Sequence, residues 1–309
     1  MPRIVAVVGA TAAGKTAVAE VVAEALDGEV VCADSRQVFR ELEIGTGKPA
    51  PKERAARPHH LFDALTLGQR PSAGWYASAS GAVCAAIHGR GRTPVLVGGS
   101  GLWLRAGQHG LSGEPPHDPE VRERIRQTLE REGPESLHAR LASVDPATAA
   151  RLRPRDRQRI TRALEVYEAS GRPLSWWHAR GGGPAVTGEW HIFELTLEPR
   201  ALDERIVRRT RWMFESGLVE ETRALVEAGK EPALRALSAV GYDEALELLA
   251  GRITRAEAEA RTNQRTRQLA KRQRTWFRHQ VEAVRMEVEE FDTAGLTKAV
   301  LATLARPAS

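Results

Sequence analysis

The chain has 309 residues, of which 42% are apolar, enough for one large domain or two smaller domains with a full core. No apolar run of about 18 residues and no signal-peptide pattern occur, so we expect a cytoplasmic protein without a membrane span. The two cysteines lie in apolar segments and predict buried thiols rather than a zinc site, while the net charge of +5 is weak support for a polyanionic partner.

The first predicted element is a short apolar strand at residues 3–8, which runs directly into the sequence GATAAGKT. This is a complete G-x-x-x-x-G-K-[ST] phosphate loop, and the helical spacing that follows it ends at Gly28. The positive end of that helix would face the bound anion. Against the alternative of a chance glycine-rich turn, the sequence predicts phosphate binding by Gly9, Ala10, Thr11, Ala12, Ala13, Gly14, Lys15 and Thr16, with Thr16 as a ligand of Mg²⁺.

Two further strands follow, EVVCAD and TPVLVGG, with a helix ending in GAVCAAIHGRGR between them. Strands that alternate with helices predict a right-handed parallel α/β sheet, a P-loop core whose ligand crevice lies at the carboxyl ends of the strands. Residues 9–16, Asp34 and 98–100 all fall on that edge.

Asp34 is the one acid that ends a predicted core strand. An ATPase or GTPase would add a second acid on a later strand, but that strand ends in glycines and a serine. Asp34 is therefore a candidate general base for an acceptor group. The alternative, an aspartate that only caps a turn or a helix, stays open at this point.

The pattern changes after GEPPHDP. Helices with short breaks are predicted from Val121 to Arg172, a loop at Arg180–Pro184, and then the strand HIFELTLEP. Further helices are predicted at Leu202–Ser216, Val219–Ala228, Tyr242–Ala250 and from Thr254 to about Arg285. We expect a P-loop core that begins at 1–115, an inserted helical subdomain at 116–184, and a return strand with C-terminal helices at 185–309 that complete the core.

Arginine is concentrated in three places: the insertion between 151 and 162, the helix around Arg205 and Arg209, and the last long helix. Arg205 and Arg209 lie one helical turn apart, where they could hold an anionic leaving group. On the long helix, Arg267, Lys271, Arg274 and Arg278 form one stripe, and no acid occurs between Arg261 and Arg278. The pattern favours a face that binds structured RNA over a merely solvated face.

Together these residues resemble the bacterial tRNA dimethylallyltransferases (tRNA isopentenyltransferases). GATAAGKT resembles the family's GPTASGKT, and DSRQVFRELEIGTGKP resembles its second motif. PHHLFD, VLVGGSGLWLRA, PRDRQRITRALEVYEASG, VGYDEAL and TRQLAKRQRTWFR follow in the family's order, so the resemblance covers nearly the whole chain.

The resemblance implies an enzyme that transfers a dimethylallyl group from dimethylallyl diphosphate to N6 of the adenosine 3′-adjacent to the anticodon. It implies Asp34 as the base, Ser100 near the reacting centre, Arg209 on the diphosphate, and Mg²⁺ as cofactor. The partner would be the anticodon stem-loop of tRNA, and a monomer is expected. The residues that the resemblance assigns to tRNA are Asp34, Ser35, Arg36, Gln37, Ser100, Arg122, Gln158, Arg159, Ile160, Thr161, Arg162, Gly241, Tyr242, Lys271, Arg272, Gln273, Arg274, Trp276 and Arg278.

The chain departs from the family pattern at several positions, including Ala10 and Ala13 in the loop, Gly47 in place of alanine, and Ser100 in place of threonine. None of these changes removes a group that the chemistry requires. Two rival functions remain open from the sequence. A P-loop kinase of a small acceptor would explain the loop and Asp34, and a nucleotide-gated RNA-binding protein would explain the basic helix.

Overall fold

A computed structural model of the chain describes residues 1–111, 118–180, 182–288 and 291–305. The chain forms two compact units: Met1–Gln108 with Val186–Ser309, and His109–Ala185. The sequence placed the insertion at 116–184, within the second unit, and its predicted start lies outside the described residues. No helix in the described ranges is long and apolar enough to cross a membrane.

One parallel sheet forms the centre of the first unit. Its strands in the described residues are β1 Arg3–Gly9, β2 Gly28–Cys32, β3 His59–His60, β4 Thr93–Gly98, β5 Glu189–Leu197 and β6 Val284–Val288. Their order across the sheet is β3-β2-β4-β1-β5-β6, and every neighbouring pair is parallel. The predicted parallel α/β class is therefore confirmed, and β1, which leads into the phosphate loop, is a central strand.

Helices cover both faces of this sheet. The helices of the described residues, in chain order, are α1 Lys15–Ala25, α2 Pro51–Ala56, α3 Ala73–Gly89, α4 Gly101–His109, α5 Pro119–Val144, α6 Pro146–Ala149, α7 Arg157–Ser170, α8 Leu174–Ala179, α9 Pro199–Glu215, α10 Leu218–Glu227, α11 Glu231–Leu237, α12 Tyr242–Leu249, α13 Arg255–Gln280 and α14 Thr293–Leu304. Alternate residues of β1 enter two different apolar clusters, with Val5 and Val7 in one and Ile4, Ala6 and Val8 in the other. A strand buried on both faces explains why the β1 sequence is continuously apolar.

The end of the chain differs from the prediction. The long helix was expected to reach about Arg285, but α13 ends at Gln280 and Val281 has extended backbone angles. Residues 284–288 instead form β6, which pairs with β5 from Phe193↔Val284 to Leu197↔Val288. Hydrogen bonding to the open edge of the sheet makes this segment a strand. Helical periodicity in the sequence does not reveal that tertiary contribution.

The second unit is helical and has its own core. Helix α5 is interrupted at Gly133, where φ is 82° and Pro134 follows, so its two halves can both pack against α7. Leu137, Leu141 and Ile160 are fully buried between these helices. The side-chain contact of Ile160 with tRNA that the resemblance implied is therefore wrong, because this side chain belongs to the hydrophobic core of the unit.

A buried carboxylate ties the edge of the sheet to helix α3. Glu29 on β2 is 1% exposed and accepts hydrogen bonds from Arg90 at 2.7 and 3.1 Å, while His60 on β3 lies 2.6 Å away. The Arg90 hydrogen bonds lower the pKa of Glu29 to about 2. Because the folded-state pKa lies below the ordinary value, this carboxylate stabilises the fold above about pH 4.5, and the stabilisation is lost as the pH falls towards 2.

We expect Glu29→Gln to lower the free energy of unfolding at pH 7 by about 2–3 kcal/mol, since the charged partners of Arg90 and His60 are removed. The deficit relative to the native chain should shrink between about pH 4.5 and pH 2, where Glu29 itself becomes protonated. Urea unfolding at several pH values measures both quantities. Glu24→Gln, at an exposed position of α1, is the matched control, and an equal pH profile for the two variants would contradict the assignment.

Candidate active site

A large cavity of about 1170 Å³ opens at the carboxyl edge of the sheet. It is lined by the loops that follow β1, β2 and β4 and by side chains of α9, α12 and α13. Every lining residue belongs to the first unit. The sequence predicted this edge as the ligand crevice, and the residues that it singled out there, 9–16, Asp34 and 98–100, do meet at this edge.

The phosphate loop at residues 9–16 passes from β1 into α1, which begins at Lys15. The ammonium group of Lys15 donates a hydrogen bond to the Ala10 carbonyl at 2.7 Å, and the Ala13 N–H donates to the same oxygen at 3.3 Å. The loop is thus closed on itself, with Lys15 already directed across it. Ala10 and Ala13, the departures from the family pattern within the loop, are buried and contribute backbone groups.

Two arginines of α9 line the same cavity as the loop, in keeping with their one-turn spacing. The Arg205 Nε donates to the Ala12 carbonyl at 2.7 Å, and its guanidinium lies over the Phe291 ring at 4.2 Å from the centroid. The Arg209 Nη2 donates to the Thr46 carbonyl at 2.7 Å. Both guanidiniums are therefore fixed by backbone acceptors or an aromatic ring, and neither is ion-paired within the described residues.

Burial of these cations lowers their pKa values. Burial lowers the pKa of Lys15 to about 8, where Asp34 opposes and Arg209 reinforces the shift. Burial also lowers the pKa of Arg209 and of Arg205. Cations that are costly to hold together without a counter-ion form a site that favours a multiply charged anion such as a diphosphate.

We call the part of the cavity that is formed where β2 and β4 end the acceptor edge. The Ser35 N–H donates to the Ser100 hydroxyl oxygen at 2.9 Å, and the Ser100 N–H donates to the Ala33 carbonyl at 3.1 Å. The backbones approach so closely that a Cβ at Gly98 would lie 2.1 Å from the Ala33 carbonyl oxygen. Glycine is therefore required at position 98, and Ser100 is held beside Asp34.

The alternative role predicted for Asp34, capping a turn, is present in the structure, and it uses only one of the two carboxylate oxygens. Its Oδ1 accepts the Arg36 N–H at 2.9 Å, which is an Asx turn. Its other oxygen, Oδ2, makes no hydrogen bond with the described part of the chain, and Asp34 lines the cavity. The turn fixes the carboxylate and leaves one oxygen available to a ligand.

A turn at residues 43–48 supports both Gln37 and Arg209, and the sequence reading missed it. The Gln37 Nε2 donates to the carbonyls of Thr46 and Gly47 at 3.2 Å each, and Arg209 donates to the same Thr46 carbonyl. The turn is itself anchored by the buried ammonium of Lys48, which donates to the Phe39 carbonyl at 2.8 Å and to Asp63 at 2.5 Å. The sequence did offer a signal for this turn. Lys48 lies in the motif that ends in GTGKP, and its carboxylate partner Asp63 is the aspartate of PHHLFD.

Tyr242 closes the cavity beside this turn. Its hydroxyl accepts a hydrogen bond from the Gly45 N–H at 3.2 Å and contacts the Glu221 carboxylate. The phenol ring is fully buried, although Tyr242 contributes to the cavity lining. Gly241 is also buried, and its N–H donates to Glu244 at 2.7 Å. These contacts give both residues a supporting role, and their contact with tRNA stays a prediction.

Helix α13 presents different chemistry on two faces. Arg272, Gln273 and Trp276 line the cavity. Arg267, Lys271, Arg274 and Arg278 line a second groove of about 500 Å³ against α9. Within that predicted stripe Arg267 is paired with Asp203, while the other three cations have no ion pair with the described residues. The sequence correctly separated the two faces, but it did not place the stripe beside α9.

The other residues assigned to tRNA lie in the second unit. Arg122, Gln158 and Arg159 are exposed, Thr161 and Arg162 are partly buried, and Arg159 pairs with Asp156 at 3.1 Å. These residues lie on α5 and α7. Their exposure is compatible with the predicted RNA contacts, which remain predictions.

The described residues contain no group of three or more histidine, cysteine, aspartate or glutamate side chains that could hold a metal ion. The Thr16 hydroxyl lines the cavity and makes no hydrogen bond with the described residues. Mg²⁺ in phosphate sites is commonly held by one or two protein oxygens together with substrate phosphate and water. The residues therefore fit a Mg²⁺ that arrives with a phosphate ligand and binds Thr16.

Comparisons with known proteins show which families and relatives this chain is similar to. The family model for IPP transferase matches residues 37–280, and the model for isopentenyl transferase matches residues 2–62. A tRNA dimethylallyltransferase of Sorangium cellulosum is 45% identical over 281 residues, covering 91% of this chain and 89% of that protein. One from Halorhodospira halophila is 45% identical over 291 residues, covering 93% of each chain.

Solved structures are also similar to this chain in fold. The full-length tRNA isopentenylpyrophosphate transferase from Bacillus halodurans has a TM-score of 0.72 and 32% identity, with 99% of this chain and 96% of that chain covered. A eukaryotic dimethylallyltransferase acting on tRNA has a TM-score of 0.80 at 22% identity, covering 99% and 78% of the two chains, a likeness of fold alone.

We expect Arg209→Gln to weaken the binding of inorganic pyrophosphate by about tenfold to a hundredfold, because a fixed charge-assisted donor is removed. Isothermal titration calorimetry with Mg²⁺ present measures the dissociation constant. Arg211→Gln removes the same charge from an exposed position of α9 outside the cavity lining. Equal affinities of the two variants would remove Arg209 from the phosphate site.

Proposed function

The chain belongs to the IPP transferase family, and we propose that it transfers a dimethylallyl group from dimethylallyl diphosphate to N6 of the adenosine 3′-adjacent to the anticodon of tRNA, releasing diphosphate. This proposal rests on one observation: the same cavity contains a phosphate loop and the Asp34 carboxylate, of which one oxygen makes no hydrogen bond with the described residues. A phosphate-bearing donor and a nucleophile that must lose a proton are the two reactants that such a cavity suits.

The phosphate half of the cavity supports a diphosphate leaving group. As the allylic C–O bond breaks, the electron pair passes to the diphosphate, and the loop N–H groups, Lys15 and Arg209 stabilise the growing charge. Thr16 would hold a Mg²⁺ that binds together with the phosphates, and such an ion would supply further positive charge to the leaving group. The cavity wall is apolar at Val97, Leu102 and Trp103, which suits an isoprenoid chain.

The acceptor half supports attack by an exocyclic amine. The lone pair of N6 is delocalised into the purine, so the amine becomes an adequate nucleophile only as its proton leaves. The new C–N bond forms from the N6 lone pair to the allylic carbon, and the proton passes to Asp34 Oδ2. Ser100 is positioned by the Ser35 N–H beside this carboxylate, where its hydroxyl can help to orient the base.

The adenosine must leave its stack in the anticodon loop to enter the cavity, at a cost of a few kcal/mol. Ser35, Arg36 and Gln37 line the acceptor edge and would contact the extruded nucleoside. The exposed cations of α13 and of the second unit would bind the phosphates of the stem-loop and offset that cost.

A mass-spectrometric experiment tests the activity. Incubation of unmodified tRNA with the protein, Mg²⁺ and dimethylallyl diphosphate should add one C5H8 unit to an adenosine next to the anticodon. Release of ADP from ATP with a small acceptor, and no modified nucleoside, would favour the kinase reading instead.

We expect Asp34→Asn to lower the turnover number by about a hundredfold to ten-thousandfold, because no base takes up the N6 proton. The amide oxygen can still accept the Arg36 N–H, so the turn and tRNA binding should be nearly preserved. Single-turnover rates and filter binding measure the two effects. Equal losses of rate and of tRNA affinity would contradict the base assignment.

We expect the double variant Lys271→Glu/Arg274→Glu to bind tRNA more weakly and with a flatter dependence of affinity on salt, since fewer counter-ions are released. Binding is measured from about 50 to 200 mM salt. Arg211→Glu/Arg223→Glu makes the same change in net charge at exposed positions of α9 and α10. If both double variants show the same slope, α13 does not contact the RNA.

A further inference from the structure

Gln273 joins the helix that bears the cationic face to the phosphate loop. Its Oε1 accepts the Thr11 N–H at 2.8 Å, and its Nε2 donates to the Gly99 carbonyl at 3.0 Å. Both ends of the amide are therefore used by backbone groups, one in the loop after β1 and one in the loop after β4. The fit is close, since a Cβ at Gly99 would lie 2.2 Å from the Gln273 Nε2.

The phosphate loop is fixed from three sides, residue by residue. Lys15 bonds the Ala10 carbonyl, Gln273 bonds the Thr11 N–H, and Arg205 bonds the Ala12 carbonyl. Lys15 and Arg205 are cations that a bound phosphate chain would engage directly. Gln273 is neutral and would not form an ion pair with the anion, so its hydrogen bonds act on the loop itself.

The neighbours of Gln273 on α13 face the RNA sites. Arg272 lines the cavity, and Arg274 lines the groove against α9 together with Lys271. Three residues later, Trp276 packs on Gly101 at the start of α4, and the Arg105 Nη1 donates to Gln280 at 2.9 Å. This half of α13 therefore packs against the segment that carries Ser100. Through Gln273 the same helix is also hydrogen-bonded to the phosphate loop.

We propose that Gln273 is a positioning residue through which α13 sets the phosphate loop, so that RNA bound on α13 and diphosphate bound in the loop change each other's affinity. The identity of the RNA rests on the proposed function, but the effect of Gln273 on the loop does not. Because coupling of binding free energies is reciprocal, each ligand must alter the affinity for the other by the same factor.

The first test measures the loop alone. Gln273→Met keeps the side-chain length and removes both hydrogen bonds, so the dissociation constant for inorganic pyrophosphate should rise about three- to thirtyfold. Gln273→Glu keeps an acceptor for the Thr11 N–H, loses the donor to Gly99 and adds negative charge, so its loss should be larger. Gln264→Met is the control, since Gln264 is an exposed residue of the same helix that lies outside the cavity lining.

Thermal unfolding of all three variants shows whether they are folded. If folded Gln273→Met and Gln273→Glu both bind pyrophosphate as tightly as the native chain, the proposal is overturned. Steady-state kinetics give an independent reading: KM for dimethylallyl diphosphate should rise in Gln273→Met and stay within about twofold of the native value in the control variant.

The second test measures the coupling. The dissociation constant for pyrophosphate is determined with and without a saturating anticodon stem-loop RNA. In the native chain the ratio should differ from one, and in Gln273→Met it should move towards one. A ratio of one in the native chain, or the same ratio in both proteins, refutes the coupling. A chain that shows both effects but never modifies tRNA would instead refute the proposed function and leave the role of Gln273 standing.

Discussion

The contact of two backbones at the ends of β2 and β4 is the constraint on which the site depends. The Ala33 N–H donates to the Val97 carbonyl at 2.7 Å, the Ser100 N–H donates back to the Ala33 carbonyl, and only a glycine at position 98 permits this approach. The contact brings the turn of Asp34 beside Ser100 and leaves the carboxylate at the same edge as the phosphate loop. Parallel pairing of β4 with β1 then sets that loop at the neighbouring strand end. Acceptor and donor chemistry are thus set side by side by main-chain geometry, and the side chains need only complete it.

Electrostatics adds a second constraint. Lys15, Arg205 and Arg209 line one cavity, in which Asp34 supplies the one carboxylate among the described lining residues, and burial lowers the pKa of each cation. Backbone carbonyls, rather than acids, hold all three side chains. Neutral acceptors orient the cations without cancelling their charge, so the attraction for a multiply charged ligand is preserved.

The part of the site that the sequence predicted is the part that is local. The phosphate loop, the strand that leads to Asp34 and the one-turn spacing of Arg205 and Arg209 each depend on neighbours within about a dozen residues, and spacing rules describe them. Both interpretations of Asp34 are compatible with the structure, since Oδ1 holds the turn and Oδ2 makes no hydrogen bond with the described residues. Gln273 was assigned to RNA by the family resemblance, and that contact stays a prediction; its contact with Thr11, 262 residues away, carries no sequence signal. Ile160 and β6 were misread for a related reason, because burial in a distant core and pairing with an open sheet edge are tertiary effects.

The central place of β1 has a consequence for synthesis on the ribosome. β1 ends at Gly9, but its partner β5 begins only at Glu189, and α14, which packs against α1, comes later still. At about 5–20 residues per second, one edge of the apolar strand that carries the phosphate loop waits roughly ten to forty seconds for its neighbour. The second unit is continuous in the chain and can bury its own core during that interval. The nascent protein is therefore most exposed to aggregation at the strand on which its chemistry depends, and chaperone protection should matter most in that window.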